Sequence, residues 1–186
     1  IPHINCWSGP MAVITNGLSI TLIEDPNPVL YFEHKYMYRS IKGLVPNDYY
    51  NIQIGKADIK RPGTDITVVA TSAMVPRALS AASVLEGDGI SVEVIDPRTL
   101  KPLDEETILH SVRKTNRLLI VHEACQIGGF GAEIASIVVE KAFDYLDAPI
   151  VRLGAPDAPI PYNDELERQA IPSQERIIDK VREILA

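Results

Sequence analysis

From Arg61-Pro62-Gly63 onward the chain repeats one unit, a short β-branched run followed by a helix-spaced stretch, and this repeat restricts the fold more than any other feature. Asp65 to Thr71 is the first such run. The stretch from Pro76 to Glu86 sets Ala78, Leu79, Ala82 and Leu85 on one helical face. Gly87-Asp88-Gly89 can close that helix, because glycine reaches positive φ without a Cβ penalty, and Ile90 to Ile95 reads as a second strand. A loop over 96–103 leads to Asp104, a good N-cap with Glu105 and Glu106 in the positive-potential first turn of a helix reaching about Thr115. Arg117 to His122 makes a third strand, and Ile134, Ile137, Val138 and Ala142 pattern the helix after Gly128-Gly129-Phe130-Gly131. Ala148 to Leu153 is a short fourth strand. Pro172-Ser173-Gln174-Glu175 opens a last helix with Ile177, Ile178, Val181, Ile184 and Leu185 apolar. Strands joined through helices imply right-handed crossovers, so the expected class is α/β, a mainly parallel sheet with helices on both faces.

The expected domain boundary lies at residues 62/63, with 63–186 forming one domain. Upstream, Pro26, Pro28, Pro46 and Pro62 interrupt a segment whose one β-rich run, Val29 to Phe32, reads as a strand followed by a long crossing; residues 1–25 follow no clear pattern. The chain is 46% hydrophobic but only 6% aromatic, a Val, Ile, Leu and Ala mixture that suits a buried parallel sheet. No apolar run approaches the roughly 20 residues that span a bilayer, and no secretory leader pattern opens the sequence, so a soluble, non-secreted protein without a membrane partner is expected. A formal net charge of −7 would repel a phosphate backbone, which argues against nucleic-acid binding. Cys6 and Cys125 are the only cysteines and lie far apart, which suits a reducing compartment and neither a disulfide framework nor a structural zinc site.

Four places could carry chemistry. Gly128-Gly129-Phe130-Gly131, after a strand and before a helix, invites phosphate at a helix N-terminus, but it lacks the G-x-G-x-x-G spacing and a P-loop lysine; the other reading is that glycines let the helix start close under the strand. His122-Glu123, with Cys125 three residues past His122, stands at the carboxyl end of a parallel strand, where such sheets bind ligands; a structural histidine and an inert thiol are the plainer reading. Glu33-His34-Lys35 is a second titratable cluster, otherwise a solvated loop or subunit contact. Asp25-Pro26-Asn27-Pro28 offers oxygen ligands on a stiffened turn that suits a hard cation, or an Asx turn before a strand.

Asp25 to Arg39 (DPNPVLYFEHKYMYR), Ile54 to Asp58 (IGKAD), Val94 to Asp104 (VIDPRTLKPLD) and His122 to Ile134 (HEACQIGGFGAEI) together resemble the beta subunits of thiamine-diphosphate-dependent 2-oxo acid dehydrogenases acting on pyruvate, branched-chain 2-oxo acids or acetoin. Leu146 to Pro149, Pro159 to Tyr162 and Ile171-Pro172 continue the match in order, so it covers residues 22–186, while residues 1–21 depart from it at Asn5 to Gly9. The resemblance implies a transketolase-like C-terminal domain over 63–186 that serves subunit assembly, preceded over 1–62 by the tail of a thiamine pyrimidine-binding domain and a linker. The family's pyrimidine-activating glutamate and catalytic histidine fall upstream of the chain's first residue, so no catalytic or cofactor-binding position is carried over, and thiamine diphosphate and magnesium are expected only in the intact enzyme. The family's potassium site carries over to Leu22, Ile23, Asp25 and Asn27. Implied partners are an alpha subunit, a second beta subunit and the peripheral binding domain of a lipoyl acyltransferase. The implied compartment is the cytoplasm in a bacterium or archaeon and the mitochondrial matrix in a eukaryote. Two further readings stay open: a free-standing enzyme built on His122, Glu123 and Cys125, and a fragment of a transketolase-like synthase.

Overall fold

The computed structural model describes residues 5–8, 12–40 and 44–186, with side chains described from Gly17 onward except that of Arg39. Gly9 lies outside the described residues, as does the side chain of Cys6. In chain order the elements are β1 (Asn5–Ser8), α1 (Ala12–Glu24), β2 (Val29–Phe32), a single turn α2 (Met37–Ser40), β3 (Asp58–Arg61), β4 (Ile66–Ala70), α3 (Met74–Gly87) and β5 (Val92–Asp96). They continue with β6 (Thr99–Lys101), α4 (Glu105–Thr115), β7 (Leu118–Cys125), α5 (Gly131–Ala142), β8 (Val151–Ala155), α6 (Asp164–Ala170) and α7 (Gln174–Leu185).

The larger sheet has the order β3-β5-β4-β7-β8. Strands β5, β4, β7 and β8 run parallel, and β3 lies antiparallel on the β5 edge. This is the mostly parallel α/β arrangement expected from the repeat. Residues of β4 alternate between layers: Ile66, Val68 and Ala70 meet α3 and α7 at Met74, Ala78, Ala82, Ile177 and Val181, while Val69 meets α4 and α5 at Ile108, Val112, Ile134 and Val138. A strand covered on both faces reads as a continuous apolar run, and all five residues of β4 are buried. The one polar member, Thr67, bonds its hydroxyl to those of Ser111 (2.6 Å) and Thr115 (2.7 Å) on α4.

A second, three-stranded sheet has the order β2-β1-β6, with β1 parallel to β2 and antiparallel to β6. Strands β3 and β6 lie in segments whose sequence reads as linker and loop. Their composition explains this: Asp58, Lys60 and Arg61 give β3 the charged character of an edge strand, and β6 is three residues long. Helix α6 has no counterpart in the periodic pattern, and Asn163 caps it by accepting from the amides of Glu165 and Leu166.

Glu93 is fully buried on the sheet, where burial alone would raise its carboxyl; the Lys114 ammonium, the Ser111 hydroxyl and the Gly63 amide together hold it below the usual range. The Gly63 N–H donates to Glu93 Oε2 at 3.1 Å, so the turn entering β4 lies directly against β5. A Cβ on Gly63 would stand 2.2 Å from the Val92 carbonyl carbon and the Glu93 nitrogen, both rigid sheet backbone. Gly63→Ala is therefore expected to destabilise the fold by about 2–4 kcal/mol, read as a lower denaturant midpoint at unchanged slope.

Candidate functional site

Two titratable clusters that the sequence separates meet in space. His34 follows β2, Glu123 stands near the end of β7, and the His34 Nε2 lies 3.0 and 3.1 Å from the two Glu123 carboxylate oxygens although 89 residues part them. With the carboxylate as acceptor, Nε2 carries the proton. Both side chains are half-buried and line a cleft of about 510 Å³ between the 34–40 segment, the start of α3 and α6, to which Arg77 and Arg168 also contribute. Arg77 donates to the Pro172 carbonyl at 2.5 Å, holding the start of α3 to the turn before α7. Neither arginine carries a periodicity or motif signal that marks it in the sequence. Glu33 turns outward to the Tyr38 hydroxyl (2.5 Å), and Lys35 is exposed.

His122 points the other way, because neighbours on a strand face opposite sides of the sheet. It is 4% exposed, and both ring nitrogens lie buried without a hydrogen-bond partner among the described residues. Three glycines wrap the ring. A Cβ on Gly131 would come within 2.5 Å of Nε2, one on Gly129 within 2.8 Å of Cε1, and one on Gly154 within 3.0 Å of Cε1. The glycines around α5's start thus make room for the imidazole and let the helix begin close under β7. Gly128, at φ +70°, faces open space instead. Burial lowers the His122 pKa, with the Ala124 backbone acting weakly in the opposite sense. Cys125 is a half-buried free thiol beyond an irregularity in the β7–β8 pairing. His122, Glu123 and Cys125 therefore do not converge: Glu123 is committed to His34, and His122 is enclosed by glycines.

Leu22, Ile23, Asp25 and Asn27 come together at the C-terminal end of α1. Asp25 Oδ1 accepts from the Asn27 amide (2.8 Å) and from its Nδ2 (2.9 Å), an Asx turn. This turn takes partners from the helix. Pro26 has no N–H to offer the Leu22 carbonyl, and the Asn27 N–H that would reach Ile23 goes to Asp25. Two backbone carbonyls beside a carboxylate and an amide oxygen make an all-oxygen donor set of the kind hard cations take, so the residues fit such an ion. Among the described residues no cluster of three or more His, Cys, Asp or Glu side chains forms.

A mostly parallel sheet clad on both faces, with one antiparallel edge strand, defines an α/β domain. Residues 55–177 match the family described as transketolase, C-terminal domain, and the chain belongs to that family. It is 48% identical over 169 residues to the acetoin:2,6-dichlorophenolindophenol oxidoreductase subunit beta of Bacillus subtilis, covering 91% of this chain and 49% of the relative. It is 46% identical over 184 residues to the pyruvate dehydrogenase E1 component subunit beta of Rickettsia conorii, covering 99% and 56%. The chain spans about half the length of the curated relatives it matches. Among solved structures, one described as a split-gene transketolase, inactive beta4 tetramer, superposes with a TM-score of 0.82 at 25% identity, covering 100% of this chain and 58% of that one. No helix among the described residues is long and apolar enough to cross a membrane.

The His122 cradle has a measurable consequence. Its imidazole binds a proton less readily in the fold than in an unfolded chain, which takes one up below about pH 6.5, so stability is full above that pH and falls as pH drops through it. The loss from this group ends where the folded imidazole itself takes up a proton, below the ordinary histidine range. His122→Gln is expected to remove that part of the acid slope in urea titrations; an unchanged slope would show that the ring protonates freely in the folded state.

Proposed function

We propose that this chain is the C-terminal part of the beta subunit of a thiamine-diphosphate-dependent 2-oxo acid dehydrogenase, and that it serves subunit assembly and acyltransferase docking. The observation that carries the reading is the 48% and 46% identity to beta subunits of acetoin and pyruvate enzymes along nearly the whole chain. The separate facing of His122 and Glu123, with no shared hydrogen bond among the described residues, supports this over a free-standing enzyme centred on those side chains. In the intact enzyme thiamine diphosphate, held with magnesium, supplies decarboxylation of the 2-oxo acid before acyl transfer to a lipoyl group. Residues 63–186 contribute the packing domain, and 1–62 the tail of the pyrimidine-binding domain and linker.

The partners in this reading are an alpha subunit, a second beta subunit and the peripheral binding domain of a lipoyl acyltransferase. On helix α7 Ile177, Ile178 and Val181 are buried, while Glu175 and Asp179 stay exposed on one helical face beside the Lys180–Glu183 pair, offering carboxylates to a basic partner. Potassium is assigned to Leu22, Ile23, Asp25 and Asn27, where the Asx turn leaves backbone carbonyls to an ion; bound there, it would pin the end of α1 to the start of β2. The relatives include bacterial proteins and a rice protein named as mitochondrial, which supports a cytoplasmic or matrix setting according to the source.

Calorimetric titration of the chain with thiamine diphosphate and magnesium is expected to give no binding, whereas binding by the chain alone would overturn the reading. Exchanging sodium for potassium at equal ionic strength is expected to raise the melting temperature of the wild type by a few degrees, an effect of about 1 kcal/mol. Asp25→Ala should abolish that difference. Equal melting temperatures in the two salts would remove the potassium assignment while leaving the subunit assignment intact.

A further inference from the structure

The two sheets meet where residues 55–61 run beside residues 96–104. The Gly55 amide donates to Thr99 Oγ1 (3.2 Å), the Ala57 amide donates to Asp104 Oδ2 (2.9 Å), and Asp58 stands opposite Asp96 in the β3–β5 register. The chain leaves the larger sheet at Asp96 and joins the smaller one at Thr99, which pairs with Trp7 of β1. Only Pro97 and Arg98 lie between. Arg98 holds a left-handed backbone at φ +55°, supported by its amide bond to Asp96 Oδ1 at 3.0 Å.

Residues directly opposite on antiparallel strands project to the same side, with Cβ atoms about 5 Å apart. Here both are carboxyls, and the cations are divided unequally. Asp58 takes Lys60 (2.5 Å) and the Arg98 guanidinium (3.0 Å). Asp96 is 0% exposed; its Oδ1 has the Arg98 amide, and its Oδ2 is buried with no partner among the described residues. The Arg98 Nε is likewise buried and unpartnered. A buried carboxylate with one oxygen unanswered is costly, whereas the neutral acid is less so.

We propose that Asp96 is a proton-holding carboxyl at the junction of the two sheets, and that losing its proton draws Arg98 away from Asp58 and loosens the pairing of β6 with β1. The groups facing Asp96 are Asp58 and Lys60 from β3 and Arg98 from its own connection. Burial is the largest influence and raises the carboxyl. The Arg98 amide, Lys60 and the Arg98 charge oppose it, Asp58 adds to it, and the result is about 6. The sign follows. From about pH 4 to 6 the fold keeps a proton that the unfolded chain has released, so rising pH works against the folded junction across that window and changes little above it. Once ionised, Oδ2 needs a donor. The adjacent free donor is the Arg98 Nε–H, and reaching it turns the side chain away from Asp58 on a backbone that leads one residue later into β6.

Carboxyl-carbon NMR titration of the full chain, with the resonance assigned through Asp96→Asn, tests the first half. A midpoint near 6 is expected, shifting modestly lower in Asp58→Asn because burial remains; a wild-type midpoint near 4 would overturn the proposal. Hydrogen exchange, corrected for intrinsic rates, tests the second. Protection of the amides of residues 99–101 is expected to fall about tenfold between pH 5 and pH 8 in the wild type and to stay flat in Asp96→Asn. A fall that persists in Asp96→Asn, or protection that ignores pH in the wild type, would sink the coupling.

Discussion

Every side chain of β4 is buried, and the strand is hydrogen-bonded along both edges, to β5 and to β7. No conformation of this strand satisfies its backbone and side chains together unless two helical layers and two neighbouring strands are in place. That condition organises the domain. α3 and α7 answer Ile66, Val68 and Ala70, α4 and α5 answer Val69, and the hydroxyls of Ser111 and Thr115 exist at their positions because Thr67 would otherwise be a buried polar group with nothing to bond. Gly63 belongs to the same requirement: the turn into β4 must pass so near β5 that no side chain fits.

What the sequence made legible follows from this. A strand buried on both faces advertises itself as an apolar run, and a helix covering one face advertises a stripe, so β4, β5, β7 and β8 with α3, α4, α5 and α7 all carried periodic signals. Asp58–Arg61 carried none, because an edge strand with one neighbour keeps its charges in reach of solvent and of Asp96 and Arg98, and its strand identity comes from β5 alone. Thr99–Lys101 is strand only by virtue of β1. Helix α6 had its signal in Asn163 and the acids after it, but seven residues give too short a stripe to stand out.

The candidate chemistry divided along the same line. Gly129 and Gly131 make room for close packing around the His122 ring, which the sequence does not reveal, since Gly154 joins them from a different strand. Adjacent residues in sequence suggested His122 and Glu123 as a pair; strand geometry sends them to opposite layers. The contact that does form, Glu123 with His34, joins two stretches with no shared pattern, and only the folded arrangement of β2 and β7 brings them within 3.0 Å. By contrast the Asp25–Asn27 turn is local, with partners two residues apart, and so was visible from the residues themselves.

These contacts also explain how the upstream segment stays attached. Between β2 and β4 the contacts that fix the chain include His34 against β7 and β3 against β5. The first is a half-buried side-chain hydrogen bond, the second a backbone ladder reinforced by Asp58, Lys60 and Arg98. Because β5 continues through Asp96 into β6, the ladder and the smaller sheet share one short covalent link, and any change in charge there is felt by both sheets. A carboxyl whose partners have been taken by its neighbour is an expensive residue to keep at such a link. Its burial beside Asp58 is therefore better understood as a feature of the junction than of either sheet alone, since neither sheet's own hydrogen bonding requires it.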